Sequence, residues 1–251
     1  KSMKYPNMSV KALAVVVLVC LLLLPSNAIV EGDLTSVDKI VIYGIPHSHT
    51  DAGWYWTYDY YFGLAARILD SVTDYLHTHS DKKFTWSDHS FFRKWYYERV
   101  ASNSDRAKYI RELVKEGRFD LVNGGLVQND EACPLAKEIY TNFDEGMKFL
   151  SEEFGVRPKT VWQLDPFGHS SAMPEILKSI GIDKVILNRM SDAYKNELIK
   201  NQDLSFIWTG DGDEEIYTKV LHGHYGMDIN LYLDRRWYAN NQCSIPLDER
   251  C

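Results

Sequence analysis

The chain has 251 residues, 45% hydrophobic and 25% charged, with a formal net charge of −7. That is ordinary globular composition, which excludes a disordered or fibrous protein. The acidic balance argues against nucleic acid or an anionic membrane surface as the partner.

The first element in chain order is ALAVVVLVCLLLL, residues 12–24, an uncharged run of 13 residues. A stable membrane span needs about 20. Lys4 and Lys11 precede the run, and Pro25, Ser26, Asn27 and Ala28 follow it. A basic start, an apolar middle and small residues at the end predict a secretory signal over residues 1–28, cut after Ala28, with a signal anchor as the alternative. Its removal takes three lysines and no acids, moving the net charge from −7 to −10. Of the four cysteines, Cys20 would leave with the leader. Cys133, Cys243 and Cys251 remain, and in an oxidising compartment Cys243 and Cys251 could pair, or either could await a partner beyond the end of the chain.

Residues 29–251 contain no linker or repeat and read as one domain. Short β-rich runs are predicted at 39–46, 83–88, 119–125, 160–165, 184–189 and 215–222. Helices are predicted from apolar spacing at 64–77, 106–117, 135–155 and 173–181. Gly117, Gly155 and Gly181 stand where helix C-caps belong. Strand–helix alternation predicts an α/β fold on a parallel sheet, doubly wound or closed as a barrel, with its site at the carboxyl ends of the strands.

Those ends carry chemistry. The first delivers His47, His49 and Asp51, the second Asp88 and His89, and the third Asn129, Asp130 and Glu131. Asp165, Arg189 and His222-Gly223-His224-Tyr225 follow. His49 and Asp51 are two residues apart in extended chain, so both side chains leave one face and can converge on one ion. Imidazole plus carboxylate suits zinc, and Asp165, held extended by Pro166, is the expected third ligand. His47 directly follows Pro46 and is read as structural. Trp54 and Phe167 follow their acids closely and would either wall a sugar face or sit in the core.

"PHSHTDAGW", "NGGLVQNDEA" and "WQLDPFGHS" resemble, in sequence, order and spacing, the three N-terminal signatures of glycoside hydrolase family 38, the zinc-dependent α-mannosidases. "ILDSV" and the leader resemble the lysosomal branch more than the Golgi-anchored one. The resemblance implies a parallel seven-stranded β/α barrel-like catalytic domain, with a helical bundle and β-sandwich regions downstream. It implies Zn2+ on His49, Asp51 and Asp165, with Asp165 also the nucleophile, and substrate contacts from Trp54, Phe167, Arg189 and Tyr225. The substrate would be a mannose-containing oligosaccharide or glycoprotein, met in the lysosome or outside the cell without stable membrane association.

Three features depart from the pattern. Leu126 stands where the family usually has Trp, Asp88 where many lysosomal members have Glu, and YYFGLAARILDSV is several residues short. The acid/base aspartate and the last zinc histidine of the pattern belong beyond Cys251, so the chain reads as an N-terminal, inactive fragment. A deacetylase-like metallohydrolase and a non-catalytic glycan-binding module are the alternative functions.

Overall fold

The computed structural model describes residues 43–226. The predicted leader, Cys243, Cys251 and residues 39–42 of the first predicted strand lie outside them. Residues 43–46 form no strand; the chain meets the sheet through one parallel bridge, His47 with Thr85, where the Thr85 N–H donates to the Pro46 carbonyl at 2.9 Å.

Helix α1 (Tyr58–Thr78) starts where the Thr57 hydroxyl accepts the Tyr60 N–H, and Asp59 favours its first turn. It buries Tyr61, Phe62, Ala65, Ala66, Leu69, Thr73 and Leu76, the i, i+3, i+4 stripe of an amphipathic helix. Strand β1 (Phe84–Trp86) leads to α2 (His89–Trp95), which runs on as one π turn, Tyr96–Val100. Helix α3 (Ser104–Lys115) is capped by Asn103 and leads to strand β2 (Phe119–Leu121). Helix α4 (Ala136–Phe154) ends at Gly155, whose φ of 68° is the left-handed C-cap that glycine adopts without strain. Then come β3 (Thr160–Gln163), α5 (Met173–Ser179), β4 (Lys184–Leu187), α6 (Asp192–Asn201), β5 (Ser205–Thr209) and β6 (Glu215–Val220).

Strands β1 and β2 pair in parallel, and β3, β4, β6 and β5 form a second sheet in that order. The fold is α/β as expected, but the sheet is not wholly parallel. Strand β5 runs antiparallel to β6, because the short turn Gly210–Glu214 can return the chain only as a hairpin. Six strands in two sheets are described, so the predicted seven-stranded closed barrel is not what these residues display.

Three buried clusters hold these layers, two of them large and a smaller one of Val122, Trp162 and Leu164. One of the large clusters packs α1, α2 and α3 against β1 and β2 around Phe92, Trp95, Tyr96, Phe119 and Phe149. The other surrounds Val161, Leu177, Val185, Ile216 and Val220 beneath α4 and α5. The parallel pairs β1·β2, β3·β4 and β4·β6 all point their carboxyl ends one way within their sheets. Ser87-Asp88, Leu164-Asp165, Asn188-Arg189 and Leu221-His222 are therefore the rim residues.

Candidate metal and active site

His49 Nε2 stands 3.6 Å from Asp51 Oδ1 and 3.4 Å from Asp165 Oδ2. One ligand atom from each of the three lies within 4.8 Å of the others. His49 Nε2 is buried and has no hydrogen-bond partner. A buried ring nitrogen without a hydrogen-bond partner, facing two carboxylates at these distances, fits a set of metal ligands. Two ligands bound about 2.0–2.1 Å from a tetrahedral ion stand about 3.3–3.4 Å apart, close to the separations found. The donor set, one imidazole and two carboxylates, suits a divalent transition metal.

Asp165 is held from its other oxygen. Arg189 Nε donates to Oδ1 at 2.6 Å, and the Tyr225 hydroxyl donates to the same oxygen at 3.2 Å. The bond to Asp165 holds the Arg189 guanidinium even more firmly in its charged form. Burial, with Asp165 beside it, pushes the Tyr225 phenol above its ordinary pKa, so its proton stays on.

The predicted residues divide as follows. His49, Asp51, Asp165, Arg189 and Tyr225 converge on one centre. His47 does not join it: its Nε2 donates to the Tyr225 carbonyl at 2.9 Å and its ring meets Trp162 edge-on, a structural role. Phe167 and Trp54 are 76% and 68% exposed, so neither is a core aromatic. The Arg189 guanidinium lies 5.4 Å from the Phe167 ring, placing Phe167 beside the centre, whereas the Trp54 ring meets that of Tyr55 at a tilt of 45°. Phe167, Asn188, Arg189, Lys195, His222 and His224 line a cavity of about 560 Å³.

Two further acids have settled environments. Asp88 is buried, accepts the Thr50 N–H at 2.9 Å, and is pushed up to about 6 by desolvation. Asp130 accepts the amides of Cys133 and Ala132, which hold it below the usual carboxylate range and make it a turn cap rather than an acid. Cys133 is an exposed free thiol.

Sequence reading gave no role to several supporting residues. Gln128 joins His49 to the end of β3. Glu131 accepts from the Ser170 N–H and pairs with His169, whose Nε2 donates to the Arg189 carbonyl at 2.8 Å. Burial works against charge on His169, but Glu131 wins and raises its pKa. The available signal was the run of amides at strand ends: Asn123, Gln128, Asn129, Gln163 and Asn188.

The family profile for the Glycosyl hydrolases family 38 N-terminal domain matches residues 39–242. Alpha-mannosidase D of Dictyostelium discoideum is 33% identical over 192 residues, covering 74% of this chain and 16% of that protein. A probable alpha-mannosidase of Arabidopsis thaliana is 33% identical over 255 aligned residues, covering 92% and 24%. This chain thus spans a quarter or less of the length of either relative. An alpha-mannosidase structure from Enterococcus faecalis V583 superposes with a TM-score of 0.59 at 16% identity, over 72% of this chain and 20% of that one. That likeness is one of fold. The profile covers most of the sequence, and the chain belongs to glycosyl hydrolase family 38 through the family's N-terminal domain.

Proposed function

We propose that this chain carries the nucleophile side of a zinc-dependent retaining α-mannosidase that removes terminal α-D-mannose from N-glycans or oligosaccharides derived from glycoproteins. The observation that carries the reading is the two-sided placement of Asp165. Its Oδ2 faces the His49 ring nitrogen within the ligand cluster, while its Oδ1 is fixed by Arg189 and Tyr225. Zinc held by His49, Asp51 and Asp165 would supply a Lewis acid for neighbouring sugar hydroxyls.

The chain's own groups do the rest. Arg189 and Tyr225 hold the Asp165 carboxylate still, so that little reorganisation is needed when it attacks. An Asp165 oxygen bonds the anomeric carbon as the bond to the leaving oxygen breaks, and an acid gives that oxygen its proton. Water then cleaves the glycosyl ester with retained configuration. The exposed faces of Phe167 and Trp54 are suited to stacking on sugar rings.

In the family pattern the acid and a further zinc histidine come from downstream segments that would also complete a seven-stranded barrel. Loss of such an acid costs about 10²- to 10⁴-fold in rate. The 251-residue chain alone should therefore turn over an aryl α-mannoside barely or not at all. We place the protein in the lumen of the secretory pathway, in the lysosome or outside the cell, on the strength of the leader. No helix among the described residues is long and apolar enough to cross a membrane.

The test is covalent labelling of the longest product of this gene, loaded with zinc, by a fluorinated mannosyl inactivator. Peptide mass spectrometry should find the label on Asp165. Label on another residue, or an inverted product from an unfluorinated substrate, overturns the assignment. A non-catalytic sugar-binding module would bind mannose and take no label.

A further inference from the structure

Glu131 and His169 meet behind the site, where the loop after Gly124-Gly125 touches the loop after Asp165. Glu131 Oε1 lies 3.3 Å from His169 Nδ1, and its Oε2 accepts the Ser170 N–H at 2.7 Å. Both side chains are shielded from water, with exposures of 2% for Glu131 and 12% for His169. On the far side of the ring, His169 Nε2 lies 2.8 Å from the Arg189 carbonyl oxygen. The imidazole thus stands between a carboxylate and a carbonyl, two groups that only accept. A neutral ring donates from one nitrogen and turns the lone pair of the other on an acceptor; only imidazolium donates from both. Burial opposes the charge, but Glu131 and the Arg189 carbonyl outweigh it, and the His169 pKa is raised. Among the described residues Glu131 is the charged group that acts on the ring. From β5 it meets only the Trp208 ring, centroids 6.2 Å apart. Asp211, in the turn after β5, accepts the Ser171 hydroxyl, and Glu175 of α5 accepts the Gly212 N–H. The Arg189 guanidinium is turned to Asp165 and Phe167.

We infer that Glu131 and His169 form a proton-dependent clamp, in which the charged ring grips the Arg189 carbonyl and so fixes the residue whose Nε donates to Asp165 Oδ1. Neither residue touches the reacting atoms, so both are positioning residues, and the inference rests on the reading of Asp165 as nucleophile. Arg189 stands just past β4 and is held twice, its backbone by His169 and its side chain by Asp165. When the pair loses its proton, one of the two ring contacts must go. Either the ring keeps Glu131 through Nδ1–H and releases the Arg189 carbonyl, or it keeps the carbonyl and repels Glu131. The clamp therefore closes in acid and slackens as pH rises, and Asp165 is held best while the pair is protonated.

Nitrogen-15 NMR of the full chain, labelled at histidine and arginine, reads the clamp without turnover. His169 is assigned through His169→Gln and the Arg189 Nε–H through Arg189→Lys. The wild-type His169 ring should titrate above pH 6.5, and the Arg189 Nε–H signal should be lost to exchange over the same range. In Glu131→Gln burial acts without the carboxylate, so both changes should move to lower pH. Activity is read on the longest product of this gene with an aryl α-mannoside. Its kcat/KM should fall about 10- to 100-fold as pH rises through the His169 midpoint, the scale of a misplaced catalytic group. Glu131→Gln should shift that fall by the interval seen in the NMR midpoints. A wild-type His169 midpoint below 6.5 overturns the inference, and so does an Arg189 signal that ignores the midpoint. A loss in Glu131→Gln of the same size at every pH would mark a purely structural defect and overturn it as well. Wild type without turnover at any pH would instead overturn the reading of Asp165, while the two NMR titrations still decide the clamp.

Discussion

At the scale of single residues, two histidines separate ligand chemistry from burial chemistry. His49→Ala and Asp51→Ala should each abolish zinc binding, measured by elemental analysis of the purified chain. His77→Ala should leave it intact, because His77 lies near the end of α1 against Tyr109, ring centroids 4.3 Å apart. Normal zinc in either rim variant would sink the cluster. His89 shows what burial does where no ion is expected. Its Nε2 donates to the Val122 carbonyl, and desolvation pushes its pKa down from 6.5 to about 4. Between those values the unfolded chain binds the proton and the fold does not, so stability is full above about pH 6.5 and falls as pH drops toward 4. Asp88, pushed up to about 6, works the other way: over about pH 4 to 6 the fold binds the extra proton, and acidification restores stability. The net curve of wild type is therefore shallow, and the difference between proteins is the quantity to read. From pH 7 to pH 5, wild type should lose about 2 kcal/mol relative to His89→Gln in urea unfolding. A difference that stays constant would mean His89 is not held neutral.

At the scale of elements, two glycines in helices should respond oppositely to the same substitution. A Cβ on Gly146 of α4 would overlap the Gly124 carbonyl oxygen and lie 2.8 Å from the Gly125 carbonyl carbon, where the helix crosses the loop that carries Gln128. Gly146→Ala should cost about 1–3 kcal/mol through overpacking. Gly63, in the interior of α1, has open space around it, so Gly63→Ala should gain up to about 1 kcal/mol in helix propensity. Thermal unfolding of both variants checks the contrast, and a neutral Gly146→Ala would mean the loop can yield. The elements legible in the sequence were those with a one-sided burial requirement. Strand β3 buries three of its four residues, and β4 buries Val185 and Leu187, so both read as strands from their apolar content. Helix α4 read as periodic because one face is buried. Helix α6 buries only Leu198 and gives almost no period. In α2 and its π turn, His89, Phe91, Phe92, Trp95, Tyr96 and Val100 are buried, too dense and too short a set to show a helical face. Strand β5 buries no residue fully, so composition did not mark it, although Gly210-Asp211-Gly212-Asp213 was a hairpin signal ahead of β6. The same division holds in the site. His49, Asp51 and Asp165 followed from spacing and motif. Gln128 did not, because its partner His49 is 79 residues away and an amide advertises no chemistry of its own.

At the scale of the whole molecule, the ligand cluster straddles two sheets. His49 follows the His47 bridge to β1, and Asp165 follows β3, so the relation between the sheets sets the geometry of the centre. Asn123 is a principal link between them. Its N–H donates to the Thr160 carbonyl at 2.9 Å, its Oδ1 accepts from the Trp162 N–H at 3.4 Å, and its Nδ2 donates to the Val127 carbonyl at 3.1 Å. It is fully buried with a φ of 72°, a left-handed conformation that asparagine tolerates better than most residues. Asn123→Ala loses both side-chain bonds and adds backbone strain, for an expected cost of about 2–4 kcal/mol. Asn123→Gly loses the same bonds without the strain and should be milder by about 1 kcal/mol. Urea midpoints of the two variants, compared with wild type, separate the terms. Because the ligands hang from different sheets, both variants should also bind zinc more weakly than wild type, with Asn123→Ala the weaker. Equal stability of the two would show that the positive φ carries no strain. Undiminished zinc affinity in both would show that the ligands hold their positions without this joint.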